Sequence, residues 1–182
     1  MRTIMNFRIL STIAILLVAT VGAAEERPKL KQDKLGNTPN VTSFGKNMLC
    51  GQPSKLDFAQ AKKRGIEVVI TLRGDGEIDW DEAAAIQNLG LEFHSLSFRA
   101  PDTLKDDIFD KALKLLANSD KAPVLLHCGS ANRVGAVWLV HRVINDGISL
   151  DAARKEAKKV GLRTAGYEDK ALAYIKRQDK EK

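Results

Sequence analysis

VLLHCGSANRVGAVW, residues 124–138, joins an apolar β-type run to a helical pattern through a short loop of small and polar residues. Val124 to His127 is too short for a stable helix and carries no polar alternation, so it reads as a strand buried on both faces. Asn132 to Asp146 reads as the following helix, closed by Gly147. Cys128 stands where the strand stops, and Arg133 stands where the helix starts.

The same strand-then-helix order repeats on both sides. Lys46–Cys50 is a candidate strand ended by Gly51-Gln52-Pro53. Ser54 caps a helix with Asp57 in the capping-box position and Gly65 as its stop. Glu67–Leu72 is a β-branched strand, followed by the charged turn Arg73-Gly74-Asp75-Gly76-Glu77 and a helix over 79–89. Leu91–Phe98 reads as a strand. Thr103 caps the next helix with Asp106 three residues on, and Ser149 opens a helix that stops at Gly161. Residues 166–180 form the last helix. Such alternation predicts an α/β domain of three layers, with a central, mostly parallel sheet flanked by helices. Ligands in these sheets bind beyond the carboxyl ends of the strands, which is where Cys128 lies.

The loop has a definite chemistry. Small residues let the backbone of Gly129, Ser130, Ala131 and Asn132 curl so that several N–H groups converge at a helix N-terminus. That is a site for a tetrahedral anion. The same groups favour a thiolate on Cys128. Arg133 offers a fork that grips two anion oxygens. A thiolate beside a bound oxyanion is placed to attack the central atom of that anion. His127, directly before the cysteine on the strand, suits orienting the loop better than moving a proton.

Composition narrows the classes. The chain has 182 residues and a formal net charge of +6. The first 23 residues hold Arg2 and Arg8 and no acid, so the remainder carries 27 basic and 23 acidic residues, or +4. That favours an anionic ligand. The basic residues are scattered with few aromatics, so no nucleic-acid partner is expected. Residues 1–23 read as a signal peptide: a basic start, an apolar stretch over Ile9–Val21, and Val21-Gly22-Ala23 for cleavage. The apolar stretch is short for a membrane span, so no stable membrane association is expected after cleavage. The expected location is outside the cytoplasm, most simply a bacterial periplasm. Residues 24–43 read as a polar linker, and 44–182 as the domain. Cys50 and Cys128 are the two cysteines. In an oxidising compartment they suggest a reversible disulfide, since both fall at carboxyl ends of strands. His94 and His141 have no partner at metal-ligand spacing.

The loop resembles the phosphate-binding loop of cysteine-dependent tyrosine and dual-specificity phosphatases. "CGQPSKLDFAQAKKRGIEVVITLRGDGE" together with "VLLHCGSANRVGA" is similar to a bacterial phosphatase-like family, the beta-lactamase-hydrolase-like phosphatase domains, over about residues 44–162. The resemblance implies a phosphatase-like fold and hydrolysis of phosphomonoesters, on a small molecule or a protein. It implies Cys128 as nucleophile, Arg133 as the phosphate-gripping residue, a cysteinyl-phosphate intermediate, and no metal or organic cofactor. Three features depart from the tyrosine-phosphatase pattern. Four residues separate Cys128 from Arg133 where that pattern has five, and four is the spacing of rhodanese sulfurtransferases. Val134 follows the arginine where a hydroxyl is usual, leaving Ser130 as a substitute. The general acid is not marked. Asp102, after the Leu91–Phe98 strand, is the candidate, and a plain turn residue is the competing view. Two alternatives therefore stay open: a sulfurtransferase working through a Cys128 persulfide, and a phosphate-binding module without turnover.

Overall fold

The computed structural model describes residues 28–180. The signal-peptide expectation for 1–23 lies outside the described residues. Six strands form one sheet: β1 (Lys31–Gln32), β2 (Thr42–Phe44), β3 (Asn47–Cys50), β4 (Val68–Thr71), β5 (Glu92–Ser95) and β6 (Val124–His127). The order is β1-β2-β3-β6-β4-β5. β3, β6, β4 and β5 run parallel, whereas β1 and β2 extend one edge antiparallel. Every residue of β3, β4 and β6 is buried, as a sheet covered on both faces requires.

Six helices cover it: α1 (Lys55–Lys63), α2 (Glu82–Asn88), α3 (Asp106–Leu116), α4 (Asn132–Ile144), α5 (Leu150–Val160) and α6 (Ala165–Gln178). Alternate strand residues feed two cores. Leu49, Ile70, Leu72 and Leu126 pack with α3 to α6. Met48, Val69 and Leu125 pack with Phe58 and Ala61 of α1 and Ile86 of α2. The expected three-layer α/β architecture is the one observed. Trp138 of α4 is fully buried. Burying a side chain of this kind contributes roughly 1.5–3 kcal/mol, so α4 is the main anchor of its layer.

Local signals held where they were strong. Ser54 and Asp57 form the reciprocal capping box, and Ser149 accepts from the Ala152 N–H at 3.3 Å. Thr103 is a correction. It ends a 3-10 turn, Pro101–Thr103, and its hydroxyl bonds back to Arg99 and Ala100 while α3 starts at Asp106 with Lys105 as an uncapped N-cap. The stretch read as a linker is a second correction. Residues 28–43 carry β1 and the start of β2, and Leu35 and Val41 are 1% and 2% exposed in the α1-side core. These two apolar residues are too few and too irregularly spaced to give a periodic signal, yet each fills a core position.

Candidate active site

The loop after β6 runs from Cys128 to the first turn of α4. Cys128 is 1% exposed, and its N–H bonds to the Cys50 carbonyl at 3.3 Å, which ties the loop to the end of β3. Further ties follow: Gln52 N–H to Gly129 O at 3.3 Å, and Asn40 Nδ2 to Ser130 O at 3.2 Å. Ala131, the α4 N-cap, is left-handed at φ 62. Such a conformation costs a non-glycine residue about 1 kcal/mol, and burial of the Ala131 methyl offsets it. Gly161 gives the loop room, because a methyl there would stand 3.2 Å from Ala131.

Arg133 returns beneath the loop. Its Nη1 donates to the Leu72 carbonyl at 2.8 Å and the Phe98 carbonyl at 2.7 Å. These are the chain exits from β4 and β5. Its outer edge grips Glu77, with Nη1 to Oε1 at 2.8 Å and Nη2 to Oε2 at 2.7 Å. Glu77 also accepts the Gly74 N–H at 2.9 Å, and Arg73 Nε lies 3.7 Å from its Oε2. Arg133's hydrogen bonds, aided by the Gly74 N–H and the nearby arginine charges, outweigh burial and hold the Glu77 carboxyl down at about 2. Burial works against the Arg133 charge, but the Glu77 contacts outweigh it and raise the guanidinium further. Arg133 is thereby fixed as a permanent cation at one orientation. The sequence marked Arg73 and Glu77 only as members of a charged turn. Their spacing of four in a Gly-rich turn was the signal.

On the α1–α2 side of the same edge lies a second polar chain that sequence reasoning missed. Arg73 Nη1 donates to Gln52 Oε1 at 2.6 Å, and Gln52 Nε2 donates to Glu82 Oε1 at 2.6 Å. Glu82 is 6% exposed, and burial raises its carboxyl against the pull of Gln52, Thr71 and Arg73. His127 faces this chain, 3.5 Å from Glu82 Oε1 and edge-on to Phe58 at 5.5 Å. It is fully buried, and burial together with the charge on Arg73 pushes its imidazole down to about 3. His127 is thus held neutral, on the face of β6 away from Cys128.

The remaining loop residues are divided between two tasks. Ser130 Oγ accepts from Arg163 Nη2 at 2.6 Å, so its hydroxyl bonds outward to the α5–α6 loop. The Asn132 side chain likewise holds that loop, accepting from the Arg163 N–H at 2.9 Å and donating to Thr164 Oγ1 at 2.7 Å. Gly129 brings its backbone under Arg133, 3.9 Å from Nη2 to where a methyl would stand. Asp102 sits exposed in the 3-10 turn on the same sheet edge. Tyr167 closes that side, its hydroxyl donating to Arg99 O at 2.7 Å. Cys50 and Cys128 are both free thiols. They belong to the two opposite cores, so the disulfide expected from shared strand ends does not form here. Burial, with Cys128, Asp57 and Glu82 adding, raises the Cys50 thiol well above its usual range.

Among the described residues no group of three or more His, Cys, Asp or Glu side chains could hold a metal ion, and no helix is long and apolar enough to cross a membrane. A hollow of about 940 Å³ lies at the other end of the sheet between Phe44, Asn47, Leu116 and His141. None of its lining comes from the Cys128 loop.

No family model matches the chain, and no curated protein is similar to it in sequence. Solved structures are similar in fold. TpbA of P. aeruginosa superposes with a TM-score of 0.63 at 20% identity, covering 81% of this chain and 89% of that one. Tk-PTP gives 0.62 at 18%, covering 73% and 93%. The catalytic core of the PP-IP phosphatase SIW14 from S. cerevisiae gives 0.62 at 18%, covering 79% and 93%. With its mostly parallel sheet flanked by two helical layers, the chain has the phosphatase-like α/β fold of these proteins.

Proposed function

We propose that the protein is a cysteine-dependent phosphatase acting on phosphomonoesters. The supporting observation is the Cys128–Arg133 loop at the carboxyl edge, with the arginine pre-set by Glu77, Leu72 and Phe98. Fixing the fork before substrate arrives means that little order is lost on binding, and the charge is in place for the transition state. In the proposed reaction Cys128 Sγ attacks phosphorus as the bond to the leaving oxygen breaks. The leaving oxygen takes a proton from Asp102. Water then attacks the cysteinyl-phosphate and releases phosphate and free Cys128. Backbone N–H groups of 129–133 and the Arg133 guanidinium hold the phosphoryl oxygens. TpbA has been crystallised with phosphotyrosine and PTPMT1 with PI(5)P, which supports a phosphorylated substrate. We include export in the proposal, on the basis of residues 1–23.

The four-residue spacing favours one rival, sulfur transfer through a persulfide. An aryl phosphate and thiosulfate, offered to wild type and Cys128→Ser, separate the two. The expected result is aryl phosphate turnover with phosphorus trapped on Cys128, lost in the serine variant. Persulfide on Cys128 without phosphate turnover overturns the proposal, and silence in both with phosphate still bound points to a binding module. Asp102→Asn is expected to slow poor leaving groups far more than good ones, because only the former need a proton.

A further inference from the structure

Eight arginines lie in the described residues, and six of them meet a carboxylate: Arg64, Arg73, Arg133, Arg142, Arg154 and Arg177. Arg99 and Arg163 make no ion pair among the described residues, and both are exposed. They stand on the two loops that flank Cys128. Arg99 follows Phe98, whose carbonyl accepts from Arg133, and the Arg99 carbonyl accepts from Tyr167. Arg163 is fastened to the loop itself through Ser130 and Asn132.

This distribution gathers positive charge at one edge of the sheet. Arg73 and Arg133 already share one carboxylate, Glu77, beneath the loop. Two more cations at the lip raise the self-repulsion and focus a positive field over the opening. The other described arginines meet carboxylates. Asp102, in the turn beside Arg99, pairs with neither. The side chain of Arg163 is also held in place: Nη2 reaches Ser130 Oγ at 2.6 Å, and Nη1 reaches Ser130 O at 3.4 Å and Gly161 O at 3.2 Å. Asn132 Oδ1 secures the backbone beneath it. A guanidinium fixed by three acceptors but given no counter-charge keeps donors and a full charge for a ligand.

We propose that Arg163 and Arg99 form a second anion subsite at the lip of the Cys128 loop, so that the substrate is a phosphomonoester bearing a further phosphate close to the one attacked. This rests on the phosphatase reading of the loop. The substrate is a soluble small molecule. Among the described residues the exposed large apolar side chains are Leu56 of α1 and Leu150 of α5, which belong to opposite helical layers and so form no contiguous apolar patch for a lipid tail.

Calorimetric binding of methylphosphonate and methylenediphosphonate, neither of which can be hydrolysed, tests it. Wild type is expected to bind the diphosphonate at least about ten-fold more tightly, as a second charge-assisted contact provides. In Arg163→Gln and Arg99→Gln that ratio is expected to fall by more than half. Arg163→Lys should keep most of it, and Arg177→Gln, which alters a paired arginine at the far end of α6, should keep all of it. A loss of loop shape would weaken both ligands together and leave the ratio standing, and that result overturns the subsite. So does a wild type with no preference. Circular dichroism identifies a variant that fails to fold, and the Arg99→Gln and Arg163→Lys arms then decide. Because no turnover is needed, a diphosphonate preference in a wild type inert toward aryl phosphates, lost in the Arg163→Gln and Arg99→Gln variants, would refute the phosphatase reading and leave the subsite intact.

Discussion

Arg133 and Glu77 are joined edge to edge, two parallel hydrogen bonds of 2.8 and 2.7 Å across 56 residues of sequence. Both side chains are mostly buried, 10% and 14% exposed. Removing Glu77 leaves a guanidinium with too few acceptors in a poorly solvated place. Glu77→Ala is expected to destabilise the fold by about 2–3 kcal/mol and to loosen the fork. Urea unfolding and aryl phosphate kinetics measure the two effects. Glu77→Gln, which keeps one acceptor, should cost less in both.

Arg133→Lys should bind inorganic phosphate much more weakly. One ammonium cannot serve Leu72 O, Phe98 O and Glu77 and still present two donors to an anion. Titration of both proteins with phosphate measures this, and equal affinities would remove Arg133 from the site.

Stability should decline on acidification in two stages. His127 stays neutral in the fold down to about 3, against an ordinary value of 6.5, because it is buried. The unfolded chain therefore binds the extra proton first, and stability present above about pH 6.5 is lost as pH falls toward 3. Glu77 adds a second loss between its ordinary value of 4.5 and about 2. His141, also pushed down by burial, acts in the same sense as His127. His127→Phe, which can keep the contact with Phe58, should flatten but not abolish the decline between pH 6.5 and 4.5. Urea midpoints across that range would show it.

Gly135→Ala tests the packing of α4. A methyl there would stand 2.7 Å from Leu162 N and Cβ and 2.8 Å from Ala157 O. Alanine improves helix propensity by up to about 1 kcal/mol, but the clash is with backbone that cannot swing away. A net loss of about 1–3 kcal/mol is expected, read from thermal or urea unfolding.

Cys50 and Cys128 should remain two free thiols under mild oxidation. Neighbouring strand ends bring their backbones into hydrogen-bond contact, yet they face opposite cores. Intact-mass measurement after alkylation would count them. A linked species would require strand β3 or β6 to turn over, with loss of the core around it.

The sequence by itself determined the parts whose cause is local. A buried strand, a small-residue loop and a helix start follow one another within residues 124–138, so the meeting of Cys128 with Arg133 was legible from spacing. Strand and helix order was legible for the same reason, as was the Ser54 capping box. Tertiary structure alone decided the partners. Glu77 reaches Arg133, Gln52 bridges Arg73 to Glu82, and Arg163 reaches Ser130 because four strand ends and the α5–α6 turn converge on one edge. No periodicity encodes those pairings. It also decided that Leu35 and Val41 fill a core where composition suggested a linker, and that two neighbouring cysteines stay apart. Alternating strand residues point to opposite faces, and a shift of one position moves a thiol across the sheet.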